Sequence, residues 1–174
     1  DLEKAGPVAL LYKDDVPLNE LAKEAIQNAD YVIVGPGDFY TSVVPNLIVR
    51  GFREAIADAK AKIILPLNLT NKQGHNMNWR ASDYVKNLEK YLGRKIDFIL
   101  LNSEMPSKEQ IEQYSAEERG NVLILDDLRD ERVIRTPLLS KIIHENSKGD
   151  AMKRSFIRHD SDKLAAAIEK IISK

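Results

Sequence analysis

The chain contains no cysteine, which excludes both a disulfide framework and a thiolate metal site. Its three histidines, His75, His144 and His159, lack any ligand spacing, so a histidine-based zinc centre is excluded as well. Net charge is nearly absent, because 26 Lys+Arg against 27 Asp+Glu leave −1. Without a basic excess, nothing points to nucleic acid, and no such partner is expected. No apolar run approaches the ~20 residues that cross a bilayer, and no signal peptide is visible. A cytoplasmic protein without a membrane partner is therefore expected. The phosphate-cradling GxxxxGK[ST] loop, the dinucleotide GxGxxG fingerprint and the nucleophile elbow are all missing too.

What is present is regular alternation. At 174 residues with 43% hydrophobic content the chain fits one domain with a sizeable core, residues 1–174. Apolar blocks at 7–12, 31–34, 62–69, 96–101 and 122–125 read as strands, and 132–135 as a sixth. Helical patterns lie between them. Leu18, Leu21, Ala22, Ala25, Ile26 and Ala29 share one face. Residues 43–49 hold Pro45 and read as a short or broken helix. Phe52, Ala55, Ile56 and Ala59 mark a helix starting near Gly51. Ser82 is the expected N-cap of a helix that Gly93 ends, and Ser107 with Gln110 forms a capping box for the next one. The last helix places Leu164, Ala165, Ile168, Ile171 and Ile172 together, and the charged stretch 140–154 reads as an excursion. This alternation predicts an α/β fold, a mostly parallel sheet with helices on both faces.

The segment YVIVGPGDFYTS carries the most chemistry. A strand runs into Gly35, Pro36 and Gly37, and then Asp38, Tyr40, Thr41 and Ser42 follow at once. Glycines let backbone N–H groups approach a ligand, and ligands bind beyond the carboxyl ends of parallel strands. The same residues also fit a plain strand-to-helix turn. Asn68 and Thr70 end the third strand, where Asn68 could meet a base or sugar hydroxyl or simply satisfy loop backbone. Arg158 precedes the last helix and has the geometry to clamp a phosphate, although Arg158 as a surface cation and Asp160 as a helix cap explain the pattern equally. Lys148, Lys153 and Arg154 either add positive potential or form a solvated loop. Asp38 and Asp83 are candidates to hold Mg2+ through phosphate oxygens. Trp79 in the polar loop 71–80 is either packing or a stacking surface.

These motifs have a family resemblance. GPGDFYTSVVPNLIV, which includes Asn46, resembles the GPGSLYTSxxPNLxV signature of the 2-phospho-L-lactate transferase (CofD-like) family, closest to its bacterial gluconeogenesis-factor branch. Asn68, Gly74 and Ala81-Ser82-Asp83 keep the spacing of NxxTQxGETxxxxASDH, residues 97–102 are similar to DxVLVN, and Arg158-His159-Asp160 with Lys163-Leu164-Ala165 is similar to RHDxxKLA. The resemblance implies a Rossmann-like three-layer fold and a nucleotide diphosphate or UDP-sugar ligand. It also implies a regulatory role in carbon metabolism and cell-wall synthesis, or alternatively a magnesium-dependent phospholactyl-type transferase. Gly35, Pro36, Gly37, Asp38, Tyr40, Thr41, Ser42, Asn46, Asn68, Thr70 and Arg158 are the implied ligand-binding residues, with Asp38 as the metal ligand. The family's opening glycine-rich turn has no counterpart here, so the chain is expected to be the carboxyl-terminal portion of a longer protein and to form a homo-oligomer through exposed sheet edge. Among the departures, Asp38 stands for the signature's Ser, and Lys72, Gln73, His75 and Asn76 stand in its QxGET stretch.

Overall fold

The computed structural model describes residues 10–118, 122–141 and 157–173. Half of the strand expected at 7–12 lies outside them, as do Lys148, Lys153 and Arg154 of the charged excursion; residues 10–12 form no strand, and Leu11 is exposed.

Four strands form one parallel sheet in chain order: β1 (Tyr31–Ile33), β2 (Lys62–Pro66), β3 (Phe98–Asn102) and β4 (Val133–Thr136). Parallel pairing requires a crossover between neighbours. The first crossover is a π-helical turn (Phe39–Val43) running into α2 (Val44–Leu47), followed by α3 (Phe52–Asp58). The second is α4 (Ala81–Leu92), and the third is α5 (Lys108–Glu118). Helix α1 (Glu20–Asn28) precedes the sheet and α6 (Ser161–Ile172) closes the described chain.

Two-residue alternation divides the core. Ile63, Leu65, Ile99 and Leu101 face one side, where they pack with Ile56, Tyr84, Val85, Leu88 and Leu92 from α3 and α4. Ile64 and Leu100 face the other, where Ala167 and Ile171 of α6 cover them. Helices therefore lie on both faces, giving the three layers the α/β pattern predicts. β2 and β3 are buried on both sides, which explains their continuous Ile/Leu runs.

Several caps match their sequence signals. Ser107 Oγ accepts from the Gln110 N–H at 3.1 Å while Gln110 Oε1 accepts from the Ser107 N–H at 2.9 Å. Asp160 accepts from the Asp162 and Lys163 amides, and Gly93 ends α4 at φ 74°, a left-handed position that favours glycine. Two expectations are corrected, and one expected helix carries an exposed face. Arg80, not Ser82, is the N-cap of α4: its N–H donates to Asp83 Oδ2 at 2.9 Å, whereas Ser82 gives its hydroxyl to Asp127 at 2.7 Å. Residues 122–125 form no strand of the sheet, because β4 occupies the place beside β3; the segment runs along the 70–80 loop, with isolated bridges from Leu123 to Thr70 and from Leu125 to Arg80. The apolar face of α1 is left largely uncovered: the helix buries no residue, and Leu21 is 76% exposed.

Candidate functional site

The site forms where β1 and β2 end. Leaving β1, the chain passes Gly35-Pro36-Gly37 and turns into the helical segment at Phe39. Asn68, two residues beyond β2, grips that turn. Its Nδ2 donates to the Gly37 carbonyl at 2.7 Å and its Oδ1 accepts from the Gly37 N–H at 3.2 Å. Gly37 admits little else, since a Cβ there would lie 3.2 Å from Ser42 Cβ. The glycine turn is thus held as one rigid piece with the end of β2.

The loop after β2 is anchored from below by a buried polar network. Asn71 is fully buried and donates to the carbonyl of Trp79 at 3.0 Å. Tyr84 donates to Asn71 Oδ1 at 3.3 Å and also meets Asn76 Nδ2, while Asn76 Oδ1 accepts from the Lys72 N–H at 2.9 Å. Burial pushes the Tyr84 hydroxyl well above its ordinary range, so it stays protonated. Phe39 packs edge-on against Trp79 and Tyr84 beneath the turn, with centroids 5.0 and 6.0 Å apart.

Above this floor lies a cavity of about 240 Å3 whose wall includes Gly37, Asp38, Asn68, Thr70, Lys72 and Arg158. Pro36, Asn76, Tyr114 and His159 also reach it. Asp38 is the one carboxylate among the described lining residues, and Lys72 Nζ lies 2.5 Å from its Oδ2. Both side chains are more than a third exposed, so the pair is worth about 0–1 kcal/mol to the fold.

The structure sorts the expected residues. Pro36, Gly37, Asp38, Asn68, Thr70 and Arg158 line one cavity. Gly35, Tyr40, Thr41, Ser42 and Asn46 are not among its lining residues. Gly35 sits in an open stretch before the turn. Tyr40 joins the aromatic cluster, 5.0 Å from Phe39, and burial raises its hydroxyl pKa, as does Tyr91. Thr41 donates to Asp38 Oδ2 at 3.4 Å, the Ser42 N–H donates to the Asp38 carbonyl at 2.8 Å, and Asn46 donates to the Ser42 carbonyl at 2.7 Å. These bonds shape the helical turn. The Gly37 amide is likewise taken by Asn68, which corrects the picture of a bare backbone donor there. Trp79 is packing, and Asp83 is a helix cap.

Sequence reasoning missed Lys72 and His159 as lining groups. His159 bonds the Leu67 backbone, and its Nε2 is buried without a hydrogen-bond partner. Burial lowers its pKa from the ordinary value, opposed by the Leu67 bond. A base depressed in this way contributes stability that is whole above about pH 6.5 and is lost as pH falls through the folded-state value. Urea unfolding at pH 7.5, 6.5 and 5.5 should show the protein weakening on acidification. His159→Asn should flatten that slope; equal slopes in both proteins would contradict the assignment.

Among the described residues the donor set forms no all-protein magnesium cage. No group of three His, Asp or Glu that could hold a metal occurs among the described residues, and the cavity's carboxylate faces an ammonium. No helix among those residues is long and apolar enough to cross a membrane.

A homologue from Thermotoga maritima is 40% identical over 159 residues, covering 90% of this chain and 49% of its own length. The Bacillus subtilis protein named Gluconeogenesis factor is 31% identical over 155 residues, or 87% of this chain and 45% of that protein. A crystal structure of a Bacillus halodurans protein superposes with a TM-score of 0.73 at 30% identity, covering 90% of this chain and 48% of that one. The chain thus spans about half the length of the relatives it matches. Residues 6–142 match the family described as 2-phospho-L-lactate transferase CofD, and the chain belongs to that family.

Proposed function

We infer that this chain forms part of a nucleotide-binding pocket, taking the diphosphate of a UDP-sugar or related nucleotide, in a regulatory protein of carbon metabolism and cell-wall synthesis. One observation carries the reading: Arg158 and Lys72, from segments far apart in sequence, meet the Asn68-clamped glycine turn in a single cavity beyond the carboxyl ends of β1 and β2. That is where ligands bind in open parallel sheets, and two cations in one cavity wall suit a diphosphate. The gluconeogenesis-factor name of the Bacillus subtilis relative favours regulation over transfer chemistry. In a transferase, magnesium would neutralise the nucleotide's phosphates. Asp38 is the one carboxylate that the described lining residues offer it, and that carboxylate is paired with Lys72. A cytoplasmic location accords with this ligand.

Calorimetric titration of the full-length protein with UDP-N-acetylglucosamine tests the reading. Saturable heat is expected, and none at millimolar ligand would end it. A homo-oligomer is part of the same proposal, supported by exposed Ile33 on edge strand β1 and exposed Leu21 on α1. Sedimentation of the full-length protein as a monomer would remove that part.

A further inference from the structure

Asp38 is the one carboxylate among the described residues lining the cavity, and Lys72, another lining residue, is paired with it. The two lie 34 residues apart, on different loops, yet meet at 2.5 Å in the cavity wall. Each member has a backbone held by its own loop. The Asp38 carbonyl accepts from the Ser42 and Val43 amides, and the Lys72 N–H is fixed by Asn76. The side chains are the movable part, and both are more than a third exposed, so separating them costs the fold little.

A carboxylate at the wall of an anion pocket opposes an anionic ligand, and a lysine beside it is the nearest mobile cation. We propose that Asp38 is an internal counter-anion: it occupies Lys72 while the pocket is empty, and a diphosphate must displace it to recruit the Lys72 ammonium. Lys72 is then a ligand-binding residue, and Asp38 sets the affinity downward. Asp38 therefore does not contact the phosphates, either directly or through a metal. Thr41, whose hydroxyl reaches the same Asp38 Oδ2 at 3.4 Å, keeps the carboxylate hydrogen-bonded when the lysine leaves. This inference rests on the reading of the cavity as a diphosphate site and adds to it which charges the ligand rearranges.

The test measures affinity for uridine diphosphate and for inorganic pyrophosphate in the full-length protein and its variants. Asp38→Ser and Lys72→Gln each remove one charge of the pair, and Asp38→Asn keeps the shape of Asp38 should the serine disturb the turn. Both Asp38 variants are expected to bind about threefold to fivefold more tightly, and Lys72→Gln about tenfold more weakly. Weaker binding by both Asp38 variants would overturn the inference, because Asp38 would then be assisting the ligand. Unchanged affinity in all three variants would also overturn it, with the pair reduced to a surface ion pair. If the unmodified protein binds neither probe, the diphosphate reading itself fails and takes this inference with it. Binding by the unmodified protein with unresponsive variants removes this inference alone.

Discussion

Replacing Arg158 with methionine should weaken nucleotide diphosphate binding about 30-fold to 100-fold while leaving the fold in place. The estimate follows from the loss of charge-assisted hydrogen bonds, each worth roughly 1.5–3 kcal/mol. Arg158 is half-buried in the cavity wall, immediately before the antiparallel bridge at His159 and the Asp160 cap of α6. Its backbone carbonyl accepts from the Ser140 amide at 2.9 Å, a bond that the substitution keeps. Thermal unfolding should therefore shift little. Lysine at this position should recover part of the affinity, because it keeps the charge but loses the planar fork. Affinity within threefold of the unmodified protein in Arg158→Met would remove Arg158 from the site.

The second large effect is structural and functional together. Asn68→Ala deletes both hydrogen bonds that hold Gly37. The partly buried Gly37 N–H and C=O then lose partners that the chain was folded around, at a cost of about 2 kcal/mol in total. For a domain of this size that is roughly a 4–8 °C drop in Tm. Binding should weaken as well, since the turn that bears Asp38 is no longer registered against the end of β2. Asn68→Asp separates the two bonds. It keeps an acceptor for the Gly37 N–H, loses the donor to the Gly37 carbonyl, and brings a second negative charge into the cavity. It should therefore bind diphosphate more weakly than the alanine variant. If Asn68→Ala neither melts earlier nor binds less, the clamp does not organise the site.

The architecture was legible in the sequence wherever a local rule decides the structure. Burial on both faces wrote the continuous Ile/Leu runs of β2 and β3, and the short-range bonds of Ser107, Gln110 and Asp160 announced two helix starts. Local rules failed where a distant partner took the group. Ser82 looks like a cap, but Asp127, 45 residues away, takes both its amide and its hydroxyl, and Arg80 caps the helix. Residues 122–125 have strand composition, yet the place beside β3 belongs to Val133–Thr136. The stripe on α1 has helical period, but periodicity says nothing about whether a covering surface exists; Leu21 remains in solvent.

The site was legible in part, for a related reason. Glycine spacing marked the turn, and the convergence of Asn68, Thr70 and Arg158 upon it agrees with their placement at ends of elements. Tyr40, Thr41 and Ser42 suggested ligand contacts from type alone, but the Tyr40 ring packs in the aromatic cluster, the Thr41 hydroxyl reaches Asp38 and the Ser42 amide donates to the Asp38 carbonyl. Lys72 could not be found by pattern, because its meaning depends on Asp38 across 34 residues. His159 likewise needed the fold to bury its Nε2 in the wall.

The most direct test is residue-resolved. Backbone amide resonances of the full-length protein should be followed as uridine diphosphate is added. The largest shifts are expected at Gly37, Asp38, Thr70, Lys72 and Arg158 together, saturating in one binding event. Shifts confined to the neighbouring groove lined by Leu101, Met105 and Leu139, or no shift at saturating ligand, would contradict the assignment of this cavity as the anion site.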